Sequence, residues 1–169
     1  VYRSRPPYEV MASKWVSYDE MLEIRLVEEM LELHYNSGQF LTYLAVLEWK
    51  YDSTFQMFLD MGHFYREHGY LDCSHSRVRR TEIVQEFAEI VDPERRDIYR
   101  EALIFDLYKI EKSKSRPFWA KNVQQDKRQT GKYLREHGME KKYCHFEYFE
   151  HINEKGCLLY TSPSPRDST

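Results

Sequence analysis

At 169 residues the chain has room for about one compact domain with a real core, and with 15% aromatic and 31% charged residues it is too rich in apolar matter for wholesale disorder. The formal charge is only -3 and no run approaches the roughly 18 apolar residues a membrane span needs, so a soluble chain is expected. Three cysteines, Cys73, Cys144 and Cys157, are an odd number at spacings that match no disulfide framework, zinc site or iron–sulfur site, which argues for a reducing cytoplasm.

Residues 1–16, with Pro6-Pro7-Tyr8 and scattered charges, read as an extended lead-in. Ser17-Tyr-Asp-Glu20 has the form of a capping box and should open a first helix running to about Asn36. At 100° per residue its apolar side chains divide into two stripes. Leu22, Leu26, Met30 and Leu33 form one; Ile24, Val27, Leu31 and Tyr35 form the other. A helix apolar on two sides is expected to be sandwiched. Asn36-Ser37-Gly38 supplies a stop, and Gln39 to about Tyr51 restarts as a second helix, giving a helical hairpin.

Ser53-Thr-Phe-Gln56 reads as another capping box, opening a third helix that Gly69 ends, with Gly62 marking a close helix crossing. A polar turn over Asp72–Ser76 leads to a fourth helix with Val84, Phe87, Ala88 and Val91 on one stripe. Asp92-Pro93 is an N-cap followed by Pro at the first helical position of a fifth helix, which reaches about Ile110. From 109 to 142 eleven Lys or Arg face four acidic residues, so the chain is electrically lopsided; Lys121–His137 reads as a weak exposed helix ended by Gly138. Tyr143–Ile152 is rich in aromatic residues and reads as a strand. The fold expected is mainly α, a five- to six-helix bundle with one aromatic strand near its C-terminal end. A helical domain would span 17–138 and a strand segment 139–156.

The candidates for chemistry are few. His63 falls on a polar helix face with Gln56, Asp60 and Glu67, where a charge network is expected. His68 and His137 each end an Arg-Glu-His-Gly helix terminus, where an imidazole commonly meets terminal carbonyls. Cys73-Ser-His75 offers two zinc ligands without a second pair, and Cys144-His145 would point to opposite faces of a strand. Asp106 shares a helix face with Tyr99, Ala102, Leu103 and Ile110, and a buried carboxylate needs a partner: an Arg or a backbone cap, or a role at an interface. No phosphate loop, dinucleotide turn, HExxH, GxSxG or CxxxCxxC motif is present. Neither a catalytic, a cofactor-binding nor a metal site is therefore assigned in this chain. The basic 109–142 segment with Tyr108, Phe118, Trp119 and Tyr133 leaves open a helical module that binds RNA or an acidic partner, though its composition is also that of an ordinary solvated face.

Several phrases occur together in order: Pro6-Pro-Tyr-Glu-Val10, Ser17-Tyr-Asp-Glu-Met21, Val27-Glu-Glu-Met30, Tyr35-Asn-Ser-Gly-Gln-Phe40, Gly69-Tyr-Leu-Asp72, Ser74-His-Ser-Arg77, and Phe105-Asp106 ahead of Arg116-Pro117. In these the chain resembles the C-terminal helical domain that follows the cobalamin-binding and radical S-adenosylmethionine (radical SAM) domains in a bacterial protein family, over most of residues 5–120. The resemblance implies an accessory domain of a cobalamin-dependent radical SAM enzyme, not catalytic alone, cut from a longer chain at both ends. Its partners would be the upstream radical SAM barrel and cobalamin domain of the same chain. The parent would use a four-iron four-sulfur cluster, S-adenosylmethionine and cobalamin, none of them held here. The matching phrases put Pro7, Tyr8, Glu9, Asn36, Ser37, Gly38, Phe40 and Asp106 forward as interface or family-motif residues. Residues 157–169 resemble translated sequencing-adapter DNA and are expected to be an artefactual tail.

Overall fold

The computed structural model describes residues 14–110, 114–121, 127–140 and 144–153. Among them are six α-helices: α1 (Tyr18–Met30), α2 (Leu41–Leu47), α3 (Thr54–Glu67), α4 (Arg77–Val91), α5 (Arg96–Ile110) and α6 (Lys127–Glu136). The chain is mainly helical, with the number of helices its periodicities call for. It divides into two compact units, one of residues 1–38 and 51–74, the other of residues 39–50 and 75–169.

In the first unit α1 packs on α3. The Ser17 box closes in both directions, Glu20 N donating to Ser17 Oγ at 3.2 Å and Ser17 N to a Glu20 carboxylate oxygen at 2.7 Å. The bond from the Ser17 backbone N–H, with help from the Ser17 side chain, holds the Glu20 carboxyl below its usual range. Leu26, Val27 and Met30 form the buried side of α1. Beyond Met30 the helix widens into a π-helical turn, Leu31–Asn36, before Gly38. The box expected at Ser53 is only half made: Ser53 Oγ accepts from Gln56 N, but the Gln56 amide donates instead to Asp60 at 2.6 Å. Met57, Phe58, Met61 and Tyr65 of α3 are buried, and Gly62 sits where α1 comes closest. The end of α3 is closed by Gly69 at φ +68°, with Gly69 N bonded to Arg66 O and Tyr70 N to Tyr65 O. This double closure needs a left-handed residue, hence glycine.

In the second unit α5 is the shared wall, packing on both α2 and α4. Tyr99, Ala102, Leu103 and Leu107 are buried on α5, Ile83, Val84, Phe87 and Ala88 on α4, and Tyr43, Leu44, Val46 and Leu47 on α2. Tyr43 Oη donates to Val84 O at 2.7 Å, tying α2 to α4. Asp92 precedes a short 3-10 turn, Pro93–Arg95, but its side chain caps nothing. It accepts from Arg95 at 2.6 Å and from the Tyr99 hydroxyl at 2.8 Å instead, and burial pushes the Tyr99 phenol up.

Of the aromatic strand expected over 143–152, the described residues 144–152 hold no more than an isolated β-bridge at Ile152, and the rest of them are neither helix nor strand. The rings serve as anchors on helices instead. Phe149 meets Phe105 of α5 edge-on at 6.0 Å and Phe146 meets Tyr133 of α6 at 6.0 Å. The amides of residues 150 and 151 donate to Glu101 of α5, which leaves them no role in a strand ladder.

Candidate functional site

The sequence candidates scatter. Pro7, Tyr8 and Glu9 lie outside the described residues, as does the 157–169 tail. Asn36, Ser37 and Gly38 are exposed in the first unit, where they finish the π-helical turn. Asn36 Nδ2 donates to Glu32 at 2.6 Å and Ser37 Oγ to Leu33 O at 2.9 Å, while Gly38 takes φ +67°. Phe40 is buried in the second unit, at the N-cap of α2.

Phenylalanine cannot cap a helix, and Asp106 does it from α5. Its two carboxylate oxygens accept from Thr42 N at 3.2 Å and Tyr43 N at 2.9 Å, the second and third amides of α2. The carboxyl is buried at 4% exposure. Burial raises its pKa above the usual aspartate value, although the bonds from residues 42 and 43 and the charge of Lys109 oppose the shift. Of the alternatives open for Asp106, the backbone cap is the one the geometry supplies.

The histidines behave mostly as helix-end groups. His68 Nδ1–H donates to Phe64 O at 2.8 Å and His137 Nδ1–H to Tyr133 O at 2.9 Å. His145 stacks on Tyr108 at 3.7 Å and bonds Glu147, so it is not available as a base for Cys144, whose Sγ lies 3.9 Å from Met139 Sδ. Sequence reasoning passed over His34. It is fully buried in the π-helical turn, with Nε2 at 2.8 Å from the Tyr65 hydroxyl. Its spacing from Val27 and Met30 put it on the inner face and was the available signal.

The concavity with mixed chemistry lies in the second unit, a cavity of about 550 Å³. Asp97, Arg100, Glu101 and Ile104, at i, i+3, i+4 and i+7 on α5, form one wall. The 116–121 segment, the start of α6 and residues 146–151 complete it. Two ionic staples hold the non-helical walls. Arg116 makes a two-pronged pair with Glu147, whose side chain is 7% exposed, and also donates to Lys121 O at 2.9 Å. The Glu147 bonds come first among the causes that raise the Arg116 pKa. Glu101 accepts from Glu150 N at 3.0 Å, His151 N at 2.7 Å and the His151 ring at 3.0 Å. Arg100 pairs with Glu89 at 2.6 Å and lies over the Trp119 ring at 5.7 Å. Arg100 Nε, Arg116 Nε and Trp119 Nε1 are buried N–H donors without an acceptor among the described residues.

Glu101, Glu150 and His151 place one ligand atom each within 4.8 Å of one another, a set that could hold a divalent ion. Glu101 is already engaged by two amides and an imidazole, so its first task is to pin the 150–151 backbone to α5. Among the described residues no helix is long and apolar enough to cross a membrane.

A family model described as "Protein of unknown function (DUF4080)" matches residues 1–158. No curated protein and no solved structure matches the chain.

Proposed function

The chain belongs to the DUF4080 family, and from that premise we propose that it is the accessory helical domain of a cobalamin-dependent radical SAM enzyme, packing against the catalytic barrel and supporting it without catalysing alone. The observation that carries this reading is the pair of exposed apolar flanks of the first helix. Tyr18, Leu22, Ile24 and Tyr35 are exposed while Leu26, Val27 and Met30 face the core. The four exposed side chains lie on the two flanks of that buried stripe, Tyr18 and Leu22 on one and Ile24 and Tyr35 on the other, and large apolar side chains left outside a core are the mark of a surface built to be covered. The motif phrases from Pro6 to Pro117 give the covering body its identity in this reading: a radical SAM barrel on the same polypeptide.

The described residues do not fit the parent's iron–sulfur cluster. Such a cluster needs a close group of several thiolates, and the described residues hold two cysteines, Cys73 and Cys144.

The test is the intact gene and its product. Reading the DNA upstream of the Val1 codon should meet an in-frame CxxxCxxC. The purified full-length protein should carry about four irons and cleave S-adenosylmethionine reductively. An intact open reading frame without those cysteines overturns the proposal. A second reading, a polyanion-binding module, rests on Lys127, Arg128, Lys132 and Arg135, all exposed on α6. It requires retention on a polyanion column that falls steeply with salt; the accessory role requires none.

A further inference from the structure

We propose that Glu101, Glu150 and His151 form a site for a divalent transition-metal ion, zinc being the ion their chemistry suits best. The site is made of this chain's own side chains and is separate from the iron–sulfur cluster of the accessory-domain reading.

Two segments about fifty positions apart supply the ligands. Glu101 stands on α5, and its carboxylate oxygens accept from Glu150 N at 3.0 Å and His151 N at 2.7 Å. Those bonds fix the backbone of both other ligands against the first, so the order a metal site needs is already present in the fold. One ligand atom from each residue lies within 4.8 Å of the other two. The Glu101 side chain is largely buried and held, while that of Glu150 is exposed and can turn inward.

The closest pair has nearly the spacing of metal ligands. His151 Nδ1 and a Glu101 carboxylate oxygen are 3.0 Å apart. Zinc at about 2.0–2.2 Å from each ligand holds tetrahedral neighbours about 3.3–3.6 Å apart. The Nδ1 proton bridges the pair; an ion takes its place on the Nδ1 lone pair, and in the neutral ring that proton moves to Nε2. Neither amide bond to Glu101 has to break, because a carboxylate offers about four lone-pair sites.

Charge and ligand type select the ion. On the cavity walls Arg116 is taken by Glu147, and Arg100 by Glu89. Lys121 is left against Asp97, Glu101 and Glu150. Asp97 has Arg96 at 3.7 Å, but among the described residues Glu101 and Glu150 have neither Lys nor Arg as a partner. Two neighbouring carboxylates without such a partner attract a cation. A set of carboxylates with an imidazole suits zinc, whereas magnesium and calcium take oxygen ligands. Three protein ligands leave a fourth tetrahedral position, and the cavity of about 550 Å³ has room for the water or small ligand that fills it.

The experiment titrates the untagged 169-residue chain with zinc chloride by calorimetry, then with magnesium chloride, and repeats the zinc titration on three variants. Glu150→Gln changes an exposed side chain and His151→Gln keeps the backbone amide, so both retain the amide bonds to α5, and their far-UV circular dichroism should match wild type. Zinc should saturate at one ion per chain, and magnesium should give no saturable heat. Each of these two variants should weaken zinc binding at least about tenfold, since even the loss of a group that orients a metal ligand costs that much. Cys73→Ser, which removes the thiol of Cys73-Ser-His75, should leave the affinity unchanged. No binding at millimolar zinc, magnesium bound as tightly as zinc, full affinity in Glu150→Gln or His151→Gln, or affinity lost in Cys73→Ser would each overturn the proposal.

Discussion

Gly62 has no room for a side chain because of Leu26: a Cβ there would stand 2.4 Å from Leu26 Cγ, with both methyl carbons at 3.0 and 3.1 Å. The clash involves the whole branch of a leucine that is itself 6% exposed, so it cannot be relieved by turning a flexible tip. Gly62→Ala should cost about 1–3 kcal/mol, the usual range for overpacking a core. Shortening the opposing residue should relieve the clash: Gly62→Ala combined with Leu26→Ala should be less destabilised than the sum of the two single variants. Urea denaturation of the four proteins measures the coupling, and strict additivity would contradict the close crossing.

Asp106 and Glu89 should pull stability in opposite directions with pH. Burial raises the Asp106 carboxyl, so ionising it costs more in the folded chain than in the unfolded one. The advantage of wild type over Asp106→Asn should therefore shrink as pH rises from the usual aspartate value through the raised one. At Glu89 burial works to raise the pKa, but bonds from Gln85 and Arg100 outweigh it and the net shift is downward. Its contribution is present above the usual glutamate value and lost as pH falls through the lowered one, so the advantage over Glu89→Gln should grow with pH. Denaturation midpoints of the three proteins at a series of pH values check both slopes. Asp106→Ala is the sharper test of the cap, at about 1–3 kcal/mol for each buried α2 amide left without an acceptor.

The Tyr65 hydroxyl is the side-chain partner of a fully buried imidazole, at 2.8 Å from His34 Nε2. Tyr65→Phe keeps the ring packing and removes that bond, so it should cost about 1–3 kcal/mol, the range for a buried polar group that loses its partner. A loss below a few tenths of a kcal/mol in urea denaturation would show that the pair adds nothing to the first unit.

Helices were legible where one local signal sufficed. Ser17 with Glu20, Gly69 and Gly138 fix ends through neighbours in sequence, and each end falls where the sequence puts it. The misreadings share a different cause. Gln56 prefers a carboxylate one turn on to the cap behind it, and Asp92 prefers Arg95 and Tyr99. Residues 144–153 are rich in strand-forming side chains, but the amides of residues 150 and 151 are claimed by Glu101, about fifty positions earlier. The cavity was invisible for the same reason. Its staples, Arg116 with Glu147 and Glu101 with residues 150 and 151, join segments that no periodicity connects. Asp106 was legible as a buried acid in need of a partner, but the amides it caps lie 63 and 64 residues away.

The exposed flanks of α1 offer the last test. Each of the two stripes expected of the first helix is only partly buried: Leu22 of one is 38% exposed, and Ile24 and Tyr35 of the other are 44% and 56%. Apolar surface of this kind binds hydrophobic dyes and drives self-association when nothing covers it. Leu22→Lys with Ile24→Lys should therefore lower ANS fluorescence and light scattering of the chain. The helix signal in far-UV circular dichroism should hold, because lysine is a good helix former and neither position is in the core. If instead the double variant lost helicity together with its dye binding, both side chains would belong to the core of the first unit, and the flanks of α1 would not be a surface awaiting a partner.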